Sequence, residues 1–282
     1  MIELRAGKWR AVLRPQLGGS LVSLTCGDLP VLRETTLECD DVLQSACFPL
    51  VPFCNRVAEG QFDFGGSTVR LEPNLPPQRH PLHGFGWRRE WRTVRSDRHS
   101  ALMEDEYAAG EWPWPYRAHQ HVALDEDGCT IRLLAENRSD RTAPMGLGLH
   151  PYFRRGAETV VAFEARGMMG IDEEFLPDGS VEDASHVADF TAGAALPERL
   201  VDNCFVDWTG TATISDRLGA IRLRAFGAPH CHVFSPTEEP TLCIEPISHT
   251  PDALNRAPGE MISLPSCAAA AIALRIEADG PL

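Results

Sequence analysis

HQHVALDEDGCTIRLLAE, residues 119–136, consists of two runs of alternating side chains separated by an Asp127-Gly128 step. Alternation with a period of two sends successive side chains to opposite faces, which is the signature of a half-buried β-strand. The same pattern recurs outward in both directions. In FDFGGSTVRL, residues 62–71, the Gly65-Gly66 pair suits a tight hairpin turn, because both positions tolerate positive φ. AIRLRAF, residues 220–226, alternates Ile221, Leu223 and Ala225 with Arg222 and Arg224. AIALRIE, residues 271–277, puts Ile272, Leu274 and Ile276 on one face. The 22 prolines and 23 glycines interrupt most windows before a helix could propagate. The expected fold is all-β: a large antiparallel β-sandwich with long connections, residues 1–282 forming one domain. In such a fold, function is expected on loops and on the concave face of a sheet.

Bulk properties narrow the function. A hydrophobic content of 43% supports a sizeable core. The formal net charge of -14 argues against nucleic acid and anionic membrane surfaces, which need positive patches. It favours a neutral or cationic small-molecule ligand. The charged N-terminus MIELRAGKWR is not a signal peptide, and no apolar run is long enough to span a bilayer. The nine cysteines are scattered without a CxxC pair, mostly among apolar residues. They read as buried, reduced thiols of a cytoplasmic protein, with no zinc site expected.

Several polar residues interrupt apolar or Gly/Pro-rich context. His83 in LHGFGW has Gly84 behind it, where backbone could approach closely; it could equally cap a loop carbonyl. His150 in GLGLHPYF precedes Pro151, which biases it toward an extended conformation, and Tyr152 and Phe153 could wall a ligand. A satisfied core histidine is the competing reading. Glu245 in TLCIEPIS lies among Leu242, Ile244 and Ile247, where burial costs free energy unless the carboxylate is paired or faces a pocket. Pro246 also fits an edge strand with Glu245 facing solvent. Arg56 in FCNRVAEG could hold hydroxyls or a carboxylate in its planar fork, or pair with Glu59 at the surface. Asp202 in LVDNCF could hold a hydroxyl or start a turn. Trp87, Trp91, Trp112, Trp114 and Phe205 could stack on a ring or belong to the core.

In this order the fragments resemble the aldose 1-epimerase (galactose mutarotase) family. The resemblance runs from GGSLVSLTCGDLPVL (residues 18–32) through NRVAEGQFDFGG, LHGFGW, GLGLHPYF and DNCF to IEPISHTPDALN (residues 244–255). One departure is His83-Gly84-Phe85-Gly86, where the family often has HGG. The resemblance implies a galactose mutarotase-like supersandwich that interconverts the α and β anomers of a free aldose without a cofactor. It implies Glu245 as general base and His150 as general acid, with His83, Arg56, Asp202 and the neighbouring Asn55 binding the sugar. A neutral-pH acid beside a carboxylate is the pairing that ring opening and closure need.

Two alternatives stay open. A hexose-6-phosphate 1-epimerase would need cations near the pocket, and Arg79, Arg88 and Arg89 flank the HG motif. A non-catalytic carbohydrate-binding or sensing domain would keep the fold alone. The natural sugar and the oligomeric state are not legible.

Overall fold

The computed structural model describes residues 1–36 and 38–279. The run at 119–136 forms a hairpin of strands Tyr116–Leu124 and Gly128–Asn137, antiparallel, with Val122 opposite Ile131. Its turn is fixed by the Asp125 carboxylate, which accepts from the backbone N–H of Asp127 and of Gly128, both at 2.9 Å. Along Tyr116–Leu124 buried residues alternate with half-buried ones, as period-two patterning requires. The hairpin at 62–71 and the strand at 220–226 also form, and Ile221, Leu223, Ile272, Leu274 and Ile276 are buried.

Two large antiparallel sheets dominate. In the nine-stranded sheet, Tyr116–Leu124 and Gly128–Asn137 are neighbours, and Ala269–Asp279 pairs with the latter. The eleven-stranded sheet carries, side by side, Cys47–Leu50, Gly148–Arg154, Thr241–Ile247, His230–Ser235 and Val201–Val206. Side chains of both sheets meet in one apolar core, including Leu13, Leu21 and Phe205 from one and Ile131, Leu133 and Leu274 from the other. Helix is confined, among the described residues, to the α-turn Ala253–Arg256 and short 3-10 turns. None of the helices is long and apolar enough to cross a membrane.

The five central strands of the larger sheet alternate in a way that creates two apolar surfaces. Leu149, Phe153, Ile244, Val233 and Phe205 point into the sandwich. Phe48, Tyr152, Cys243 and Cys204 form a second, smaller cluster with Trp87 on the other face. That second face is covered by loops carrying residues 51–60 and 74–88, so side chains there are buried without entering the main core. Cys47, Cys54, Cys129, Cys204, Cys231 and Cys243 are buried free thiols, as expected; Cys26 and Cys39 are half-buried and Cys267 is exposed. Burial pushes the Cys129 thiol up to about 12, so it stays protonated.

Candidate active site

Pro151 and Pro246 lie on neighbouring central strands. Pairing between Gly148–Arg154 and Thr241–Ile247 holds at Gly148/Ile247 and at Tyr152/Cys243, and lapses between them. A proline lacks the N–H that a ladder bond needs, so each strand is interrupted there. The interrupted stretch holds His150 and Glu245 opposite each other, with His150 Nε2 3.3 Å from Glu245 Oε1. Glu245 is therefore not on an edge strand facing solvent: it is 1% exposed in the middle of the sheet. A proline is tolerated in a central strand because its neighbour has a matching proline at the same gap.

Strand alternation brings two more side chains to this face. His232 is in register with Glu245 on the next strand. Its Nε2 lies 2.6 Å from Asp202 Oδ1, one strand further on, and the second Asp202 oxygen is 3.3 Å from an Arg56 terminal nitrogen. Arg56 thus pairs with Asp202; Glu59 pairs with Arg79 instead.

The covering loops supply the rest. Asn55 and His83 both adopt left-handed backbone, with φ of 57° and 60°. They lock to each other: the Asn55 N–H donates to His83 Nδ1 at 3.1 Å, and the His83 N–H donates to the Asn55 carbonyl at 3.0 Å. Because Nδ1 accepts, the proton of the neutral His83 ring is on Nε2, which makes that nitrogen a donor. Gly84, at φ 68°, sits against the Val51 backbone, whose carbonyl oxygen accepts from the N–H groups of Phe85 and Gly86. This is the close approach expected of a glycine there.

All six residues singled out in the sequence, Asn55, Arg56, His83, His150, Asp202 and Glu245, line one cavity of about 280 Å³. That is near the low end of the range of ~300–1,000 Å³ for small-molecule sites, and suits one sugar ring better than a chain of them. Lining residues that carried no signal strong enough to single them out include His232, Arg33 and Phe234. For His232 the available clue was alternation in HCHVFS, where Cys231 and Val233 point inward. The aromatics proposed for stacking do not line the cavity. Trp91, Trp112, Trp114 and Phe205 belong to the main core, and Trp87 packs beneath the cavity on Phe48 at 5.9 Å. Tyr152 does wall it, as expected, whereas Phe153 points into the core.

Burial dominates the electrostatics. It pushes the Glu245 carboxyl well above its usual range, and the Asp202 charge adds to this while Arg56 opposes it. It pushes the His150 imidazole down to about 3, helped by His232 and Arg33. His83 is lowered well below its usual value by burial, then by His150, Arg56 and His232. Asp202 goes the other way: burial would raise it, but the His232 hydrogen bond and charge, with Arg56, hold it below the ordinary carboxylate value. Asp202 is thus a charge-paired carboxylate, while burial favours the neutral forms of both His150 and Glu245. His83, His150 and Glu245 also bring ligand-type atoms within 4.8 Å of one another. The Asn55 hydrogen bond keeps the His83 lone pair at Nδ1 engaged, which disfavours that ring as a metal ligand.

The family model described as aldose 1-epimerase matches residues 1–265. The chain belongs to the aldose 1-epimerase family. Among relatives of this family it is 33% identical over 233 residues to the uncharacterized Escherichia coli K12 protein YphB, covering 78% of this chain and 79% of that protein. A crystal structure from Escherichia coli K12 superposes with a TM-score of 0.92 at 30% identity, covering 99% of this chain and 98% of the other. The fold is also that of a galactose mutarotase-like protein from Clostridium acetobutylicum, with a TM-score of 0.84 at 17% identity over 99% of this chain and 94% of that one. The all-β, galactose mutarotase-like architecture of an aldose 1-epimerase is thus present throughout the described chain.

Proposed function

We propose that this aldose 1-epimerase interconverts the anomers of an unphosphorylated aldohexose, with Glu245 and His150 as the proton-transfer pair. The observation that carries the reading is the 3.3 Å approach of His150 Nε2 to Glu245 Oε1 at the wall of a monosaccharide-sized cavity. Glu245 as carboxylate takes the proton of the anomeric hydroxyl while His150 as imidazolium gives one to the ring oxygen. The bond from C1 to the ring oxygen breaks and C1 becomes an aldehyde. The pair is now neutral imidazole and carboxylic acid, the charge state that burial favours. Rotation about C1–C2 presents the other carbonyl face. The ring hydroxyl then attacks C1, His150 takes its proton and Glu245 returns one to the anomeric oxygen. The site's charge and proton count are restored.

His83 donates from Nε2 to a sugar oxygen. Arg56 and Asp202, already paired, offer donors and acceptors to hydroxyls. The cavity supports an uncharged sugar because its cations are committed. Arg33 is bound to the carbonyls of Ser45 and Leu43 and to Glu239, and Arg56 to Asp202. Arg79 pairs with Glu59 and Glu174, Arg89 with Asp105, and neither lines the cavity, nor does Arg88. Asp41 and Glu239 line the cavity as well and would repel a phosphate. Polarimetry on freshly dissolved α-D-glucose, α-D-galactose and α-D-glucose 6-phosphate tests this. Acceleration of a free hexose and not of the phosphate is expected; acceleration of the phosphate alone would reverse the substrate class, and none on any would reject the reading.

A further inference from the structure

An imidazole that moves protons at one nitrogen is ordinarily held by a hydrogen bond at the other. Among the described residues His150 has none: its Nδ1 is buried without a partner. Its ring is held by aromatic contacts instead: it packs on Phe48 at 4.6 Å and 28° and on Tyr152 at 4.6 Å and 24°, and these two rings meet each other at 6.1 Å. Phe48 is set by the sheet, being the register partner of His150 on the next strand. Tyr152 faces the cavity, and the Arg33 guanidinium carbon lies 3.6 Å from its ring centroid. Arg33 is itself tied down. Its Nε donates to the Ser45 carbonyl at 2.8 Å, one terminal nitrogen donates to the Leu43 carbonyl and the other to Glu239 at 3.4 Å. Its backbone N–H donates to the Tyr152 carbonyl at 2.8 Å.

We propose that Arg33 is a positioning residue for His150: its guanidinium plane clamps Tyr152, and Tyr152 with Phe48 fixes the imidazole edge toward Glu245. This rests on the mutarotase reading of the site. The clamp also puts a fixed cation at the end of the stack. Around His150 the other ionisable groups are Glu245, His83, His232, Asp202, Arg56 and the Cys47 thiol, and Arg33 adds to those that disfavour the imidazolium. Removing the cation lets His150 take a proton at a higher pH; keeping a cation without the plane leaves the charge and loses the clamp.

Arg33→Met and Arg33→Lys separate the two. Turnover of a free hexose is followed by polarimetry, and the His150 ring by NMR titration of isotope-labelled histidine in the same proteins. R33M is expected to lose about 10-fold or more in kcat, with little change in KM, as for a misplaced reacting group. Its His150 titration is expected to move upward in pH. R33K is expected to return the titration toward wild type without restoring kcat. A folded R33M with wild-type kcat and titration overturns the proposal, as does a rise in KM alone, which would make Arg33 a sugar-binding group. If R33M does not fold, wild-type kcat in R33K overturns the clamp. A wild-type protein without mutarotase activity would reject the underlying reading, and the NMR titration would still judge the role of Arg33.

Discussion

At Glu245 one carboxylate carries both the cost of burial and the proposed proton transfer. Glu245→Gln keeps the shape and removes the base, so turnover is expected to fall about 10²–10⁴-fold with the fold intact; near-normal turnover in the folded variant would remove Glu245 from that role. The pH profile follows from the same pair. It works while it holds one proton. Below about 3 a second proton reaches His150, and only well above the usual carboxylate range does the last one leave Glu245. The profile of kcat/KM is therefore expected to have no acid limb near the ordinary histidine value of ~6.5. A limb there would show that His150 titrates as if exposed. The two histidines should separate kinetically. His150→Asn is expected to lower kcat most, whereas His83→Asn, which removes a donor fixed by Asn55, should chiefly raise KM. The reverse pattern would transfer the acid role to His83.

At the scale of elements, the site depends on strands that are interrupted and loops that are pinned. His150 and Glu245 meet where Pro151 and Pro246 open the ladder, and His83 is delivered by a loop anchored at Gly84. A methyl group at Gly84 would come within 2.6 Å of the Val51 carbonyl carbon, on a backbone at φ 68°. The left-handed conformation alone costs an L-residue about 1–2 kcal/mol, and the collision adds to that. Gly84→Ala is thus expected to lower stability by about 2 kcal/mol or more and to cut turnover by displacing His83. A urea midpoint and turnover equal to wild type would show that the loop yields without moving the site. The sequence showed the glycine and both prolines but not that the prolines share one gap in the ladder. That depends on register between strands almost a hundred residues apart.

For the molecule as a whole, buried histidines tie stability to pH. His83, His150 and His249 are all lowered by burial, His249 to about 4 and His150 to about 3. A depressed pKa contributes stability above the unfolded value of ~6.5 that is lost as pH falls toward the folded value. The raised Glu245 acts oppositely, its contribution being full below ~4.5 and lost as pH rises. His230 and His121 are lowered in the same way and Asp105 is raised like Glu245, so the lowered histidines outnumber the raised carboxyls and the urea midpoint is expected to fall between pH 6.5 and 4.5. A midpoint that holds or rises across that window would contradict the burial of these rings.

Local alternation and turn chemistry are properties of a few neighbouring residues, so the hairpins at 62–71 and 119–136 and the all-β class could be read from the chain alone. The ordered fragments around Arg56, His83, His150, Asp202 and Glu245 likewise carried the family and a candidate site, since each fragment is local. The tertiary structure alone decided which nearby charges pair and what the aromatics do. Arg56 meets Asp202 and not Glu59, the tryptophans pack away from the cavity, and His232 and Arg33 join the site. The reason is physical: strand pairing and face selection are set by contacts between distant segments, and a short run of sequence has the same pattern whether its polar side chain meets solvent or a partner a hundred residues away.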